Sequence, residues 1–241
     1  IGVAAKPGYK YKWTPKTGLS SDTVANPKIS LKYTGFGTIK YNYYLSVDSS
    51  NAGSTGIDYC KVPDIVVVRV YGKGASAGGD LSFCSGGNGT VNFAGVNGFR
   101  YQWTPSTGLN NDTIPNPTIT LTNTGSTEAV YTYVLNAIAR SQSTCVDRDT
   151  IKVIVHPKGA DGGPDKIICS GETTQIGKPR VLDPLFTYSW SPATGLSSAS
   201  VSNPMVTLAN MTNAAVTYTY VQTVLYSNIC TQKDTVTVTV Y

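Results

Sequence analysis

The chain has 241 residues, 40% of them hydrophobic and 10% aromatic, with 14% charged and a formal charge of +5. That supplies enough apolar material for a core and excludes a disordered tail, while no apolar run approaches the roughly 20 residues that a membrane-spanning helix requires. A single histidine, His156, removes Ser/His/Asp triads and multi-histidine metal sites, so the reading starts as non-enzymatic and without a cofactor.

Taken from the N-terminus, the chain opens Ile1-Gly2-Val3 with no Met and no basic or apolar leader, which reads as a processed product or a piece of a longer protein. The first distinctive stretch is Tyr11-Lys12-Trp13-Thr14-Pro15-Lys16-Thr17-Gly18-Leu19, followed by Asn26-Pro27. Next comes an alternating run, Tyr41, Tyr43, Leu45 and Val47, and then Asp64 leading into Ile65 to Val70; both read as half-buried strands. A Gly/Ala/Ser segment from Gly72 to Asp80 has the composition of a short hinge.

The same order then returns. Tyr101 to Leu109 and Tyr188 to Leu196 repeat the tryptophan stretch, Asn116-Pro117 and Asn203-Pro204 repeat the turn, and Pro157 to Asp165 is a second predicted hinge. Asp64, Asp149 and Asp234 open equivalent closing strands at a constant shift of 85 residues. Such a period marks one module used nearly three times. Short strands broken by Pro and Gly, at this length per unit, predict an all-β chain of tandem immunoglobulin-like β-sandwiches of the seven-strand type. The expected modules are residues 1–73, 74–158 and 159–241, the first lacking its opening strand.

Cysteine spacing follows the repeat. Cys84 to Cys145 and Cys169 to Cys230 are each 61 residues apart, which predicts one disulfide inside each module and an oxidising compartment. Cys60 holds the place of Cys145 and Cys230, but the position of its partner falls upstream of Ile1, so it is expected to be unpaired by truncation. A strand from upstream or from a neighbouring chain would then fill the open position. No Cys-x-x-Cys pair suggests a thiolate metal site.

Ile168-Cys169-Ser170-Gly171-Glu172-Thr173, the Tyr-x-Trp-Ser/Thr-Pro-x-Thr-Gly-Leu stretches, the Asn-Pro turns and the closing Asp-Thr-Val-Thr-Val at 234–238 together resemble the immunoglobulin/PKD-like repeats of large Bacteroidetes cell-surface proteins. These are gliding-motility-associated, adhesin-like cargo of type IX secretion. The resemblance covers essentially the whole chain. It implies an extracellular, cell-surface stalk or filament, and carries over no catalytic residue. Phe83-Cys84-Ser85-Gly86-Gly87 departs from the pattern, with Gly87 where the third copy has Glu172.

The remaining candidates read as structural. Trp13, Trp103 and Trp190 recur at one position and are expected in the cores rather than stacked on a sugar. Tyr33, Tyr44 and Tyr226 fall off the shared pattern and are the candidate surface contacts. His156 stands at the register of Tyr71 and Tyr241, at the edge of a linker. The repeated aspartates are expected to act as turn formers or caps, and Asp80, Asp161 and Asp165 are too few for a calcium site between modules. Basicity is confined to the first module, where Lys6, Lys10, Lys12, Lys16, Lys28, Lys32 and Lys40 lie among ten basic residues against four aspartates. A solvated face is expected there, with an acidic polysaccharide or a neighbouring protein as the sharper alternative. Nothing suggests nucleic acid. Two functions follow: a structural and adhesive repeat segment whose partners are neighbouring modules, or a glycan-binding region attached to a secreted enzyme. The one notable insertion, Ser49 to Asp58, lacks Trp and favours the first.

Overall fold

The computed structural model describes residues 1–49, 63–179 and 184–241, and these form strands without a helix. Cys60 and most of the Ser49 to Asp58 insertion lie outside the described residues. The chain is a tandem of immunoglobulin-like β-sandwiches. The first module contains β1 (Tyr9–Thr14), β2 (Thr38–Ser49) and β3 (Asp64–Tyr71), in a sheet of order β1-β2-β3. The second contains β4 (Leu81–Cys84), β5 (Asn88–Thr90), β6 (Phe99–Thr104), β7 (Thr118–Thr120), β8 (Ala129–Ala139) and β9 (Val146–His156). The third repeats it with β10 (Lys166–Ile168), β11 (Thr173–Gln175), β12 (Phe186–Ser191), β13 (Met205–Thr207), β14 (Val216–Tyr226) and β15 (Cys230–Val240).

In the second and third modules a four-stranded sheet, β4-β9-β8-β6 or β10-β15-β14-β12, faces a two-stranded one, β5-β7 or β11-β13. The opening strand runs parallel to the closing one, Cys84 lying beside His156 and Ile168 beside Val240, while the other pairs are antiparallel. Six strands per module replace the expected seven. On the smaller sheet the place of a further strand is taken by single bridges, Leu109 to Ile119 and Leu196 to Val206. The Trp-x-Pro-x-Thr-Gly-Leu segment is spent on a turn there: Gly108 has φ +78° and its carbonyl receives the Thr120 N–H.

Alternation sets the faces. Val236, Val238 and Val240 of β15 are buried, as are Ile151, Val153 and Val155 of β9, while the threonines and Lys152 between them are turned outward or half-buried. Trp13, Trp103 and Trp190 sit in the three cores. Each indole N–H is satisfied by a carbonyl eleven residues on, that of Val24, Ile114 or Val201, at 2.8–3.0 Å. The peptide bond before the proline of this motif is cis in all three copies. Tyr43, Tyr133 and Tyr220, fully buried, donate to the carbonyls of Thr17, Thr107 and Thr194 at 2.6–2.7 Å and tie the penultimate strand to the turn.

The disulfide expectation is corrected. Cys84 bonds to Cys230, 146 residues away in the next module, with Cα atoms 5.6 Å apart, and Cys145 and Cys169 are free thiols. The reason is the length of the closing strand. Cys145 immediately precedes the 11-residue β9, whereas Cys84 lies beside its last residue, so at about 3.3 Å per residue the two stand roughly 35 Å apart, far beyond the ~7 Å Cα separation a disulfide can bridge. Equal spacings of 61 residues are what the period produces whichever way the pairs connect.

Candidate functional site: the junctions between modules

The two segments expected to be hinges are packed. Ala75, Ala77 and Ala160 are buried, and their neighbouring backbone amides are held by side chains of the module that follows. At the first junction the N–H groups of Gly74 and Ala75 donate to Asp147 Oδ2 at 2.8 and 3.0 Å, and Ala77 N–H donates to Asp149 Oδ2 at 2.7 Å. At the second, Gly159 N–H donates to Gln232 Oε1 at 2.6 Å, Asp161 N–H to Gln222 Oε1 at 2.7 Å, and Gly162 N–H to Asp234 Oδ2 at 2.8 Å. Asp80 and Asp165 complete the ladder by accepting from Lys152 and Thr237 N–H at 2.9 and 2.8 Å.

Asp149 and Asp234 therefore do two things. Each lies inside its closing strand rather than at its start, which corrects its reading as a turn former or cap; it accepts the next residue's N–H with Oδ1 and clamps a linker amide with Oδ2. Asp64 makes the first of these bonds, to Ile65. The glycines serve close approach rather than bending. A Cβ on Gly74 would lie 2.5 Å from the Phe99 ring, and one on Gly159 would lie 2.6 Å from Val224 and 3.0 Å from Phe186.

Around the Cys84–Cys230 bond the two module ends make a mixed polar and aromatic contact. His156, buried at the foot of the second module, places Nδ1 2.9 Å from Glu128 Oε1 and Nε2 2.7 Å from Ser82 Oγ. Glu128 also accepts from the Tyr226 hydroxyl of the third module at 3.3 Å. Tyr226 packs on His156 and Phe186, with ring centroids 5.3 and 4.8 Å away. Tyr226 is thus buried in the junction, which corrects its reading as a surface contact. Tyr44 is 40% exposed on the first module, and Tyr33 is half-buried with its hydroxyl on the Phe36 carbonyl. At the first junction Tyr71 meets Phe99 edge to face at 6.1 Å and hydrogen-bonds Ser141.

Sequence reasoning missed Asn123 and Asn210. Asn123 is buried and donates to the carbonyls of Thr127 and Val155 while accepting Gly125 N–H, and Asn210 does the same with Ala214, Val240 and Thr212. Both follow a repeated Leu by two residues, a signal that could have found them; the first copy has Tyr33 there.

Among the described residues no three His, Cys, Asp or Glu side chains group as a metal site would require. Asp161 is engaged by Lys178 at 2.6 Å, and that ammonium holds its carboxyl below the usual carboxylate value. A 630 Å³ depression on the second module is walled by Val96, Phe99, Arg100, Tyr101, Pro115 and Arg140, and its lining holds no carboxylate, imidazole or thiol. Lys6, Lys10, Lys12, Lys16, Lys28, Lys32 and Lys40 are exposed, with Lys12 paired to Asp22.

No family model matches the chain, and no curated protein sequence matches it. Among solved structures it is similar to the two immunoglobulin domains IG1 and IG2 of DIP-gamma, at 8% identity and TM-score 0.33 over 68% of this chain and 94% of that one. It is also similar to mouse cadherin-23 EC22-24, at 11% identity and TM-score 0.31 over 100% and 90%, and to Sidekick-1 immunoglobulin domains 1-5, at 10% and 0.29 over 97% and 52%. At these scores the fold rests on the strand order and register described above.

Proposed function

We propose that the chain is a non-enzymatic, structural and adhesive repeat segment of an extracellular cell-surface protein, in which rigidly coupled modules act as a stalk or filament. The observation that carries this reading is the junction. Linkers that could have been left free are instead held amide by amide, and one junction is covalently closed. Domains that move independently have sparse, exposed linkers with few crossing contacts; fixed linkers make a spacer of defined length. The cystine fits an oxidising, extracellular setting. The motif resemblance extends the reading to a large bacterial surface protein exported by type IX secretion and serving adhesion or gliding motility, with 1–73, 74–158 and 159–241 as its repeating units.

The test pairs small-angle scattering with a glycan array, both on the intact chain. Scattering described by a single elongated conformer, together with no selective glycan signal, is the expected result. A broad ensemble of module orientations would overturn the stalk reading. Selective glycan binding centred on the lysines of the first module would replace it with the binding-region alternative.

A further inference from the structure

The first module keeps the counterparts of β6, β8 and β9, but among the described residues it has neither the short parallel strand nor the two-stranded second sheet of the other two. β9 and β15 each carry a short parallel strand on their outer side, ending in Cys84 beside His156 and leading into Cys169 beside Tyr241. β3 lies at the edge of its sheet, and among the described residues its equivalent stretch, Val68 to Tyr71, has no such strand. Its inward side chains show the consequence. Val66, Val68 and Val70 are only half-buried, whereas their counterparts Ile151, Val153 and Val155, and Val236, Val238 and Val240, are at most 1% exposed. Ile29 is half-buried for a separate reason: its counterparts Ile119 and Val206 are fully covered and paired to β5 and β11, strands of the smaller sheet.

At the end of that open edge stands a free thiol. Cys145 lines a 490 Å³ cavity at the first junction together with Arg69, Tyr71, Gly72, Phe99 and Asp147. In the next repeat the matching positions are held by Cys230 for Cys145, His156 for Tyr71, Phe186 for Phe99 and Gln232 for Asp147. There Cys230 is bonded to Cys84, the residue that ends the parallel strand. We infer that Cys145 is the receiving half of a second inter-module disulfide, whose other half is a cysteine ending a β-strand added parallel to β3 along Val68 to Tyr71. The occupant is a segment in which an inward apolar side chain directly precedes the cysteine, as in Phe83-Cys84 and Ile168-Cys169. A second folded copy of this chain does not supply it, because its own cysteine-ending strands are already paired to β9 and β15.

The bond forms by exchange with a low-molecular-weight disulfide as oxidant. The Cys145 thiolate attacks one sulfur of that disulfide and expels one small thiolate. The incoming cysteine thiolate then attacks the Cys145 sulfur of the mixed disulfide and expels the second. Two protein thiols are oxidised and release two protons; one small disulfide is reduced to two thiols.

The test extends the full chain at its N-terminus with a copy of Pro164–Gln175, which carries its own Ile-Ile-Cys. Ile1-Gly2 aligns with Ile176-Gly177, so the join keeps the repeat's register. After oxidation in a glutathione redox buffer, peptide mapping without reduction should find the added cysteine linked to Cys145, with that link lost in Cys145→Ser. An added cysteine bonded to Cys60 within the first module, or left free beside an alkylatable Cys145, overturns the inference. Should the extended chain fail to fold, the same segment is offered as a free peptide to the unextended chain. Mixed disulfide at Cys145 should then exceed that with a scrambled peptide by about tenfold, because strand addition raises the local thiol concentration; equal labelling by the two peptides overturns the inference.

Discussion

Tyr133 shows how one residue type serves packing and polarity together. Its ring is fully buried and its hydroxyl donates to Thr107 O at 2.7 Å, as Tyr43 and Tyr220 do in the other modules. Burial raises all three phenols above the ordinary value of 10.0, since the phenolate would lose its hydration. A raised folded-state value means that the folded protein keeps its proton more tightly than the unfolded chain. The resulting stability is complete below pH 10.0 and is lost as pH rises through the folded-state value. Denaturant midpoints should therefore hold up to about pH 10.0 and fall above it. Tyr133→Phe should cost about 1 kcal/mol at neutral pH through the lost hydrogen bond, and chemical denaturation above pH 10 should show a shallower fall than for the unaltered protein. The tryptophans and these tyrosines were legible because they recur on the inward side of an alternating pattern. Asn123 was not, since a buried asparagine differs from a turn asparagine only in what surrounds it, and the two carbonyls it satisfies belong to Thr127 and to Val155 of a distant strand.

At the scale of elements, the linkers carry the main lesson of the comparison between sequence and structure. Gly74 and Gly159 stand in segments whose composition suits a hinge, yet both are there because side chains lie against the backbone, the Phe99 ring at Gly74 and Val224 with Phe186 at Gly159. Composition cannot separate a glycine kept for freedom from one kept for closeness; only the position of Phe99 or Phe186 in space does so. The long strands were readable from alternation, whereas the recurring aspartates, expected as turn formers or caps, lie inside β9 and β15 and bind the linker. Asp149→Ala should leave the second module folded and release the Ala77 amide, whose hydrogen exchange should accelerate by about tenfold, the equivalent of roughly 1.4 kcal/mol. Asp149→Asn, which keeps an acceptor oxygen, should restore most of the protection. Exchange at Gly162 should be untouched by either variant, because Asp234 clamps it independently.

For the whole molecule, the connection from Cys84 to Cys230 changes what a module is. The covalent loop encloses most of two sandwiches and the linker between them, so their unfolding is coupled through one constraint. In the chain-entropy account a loop of 146 residues stabilises by about 5 kcal/mol relative to the opened chain. Reduction, or Cys84→Ser, should lower the denaturation midpoint of the second and third modules and leave that of the first nearly in place, as followed by hydrogen exchange. The same bond decides how the chain answers tension. A pull applied between Ile1 and Tyr241 reaches the second module, crosses at the sulfurs and leaves through β15, so the chain looped between the two cysteines, 146 positions apart, is spared the strain. Stretched by its ends, the oxidised chain should come to full extension roughly 500 Å short of the reduced one, at about 3.5 Å for each sheltered residue.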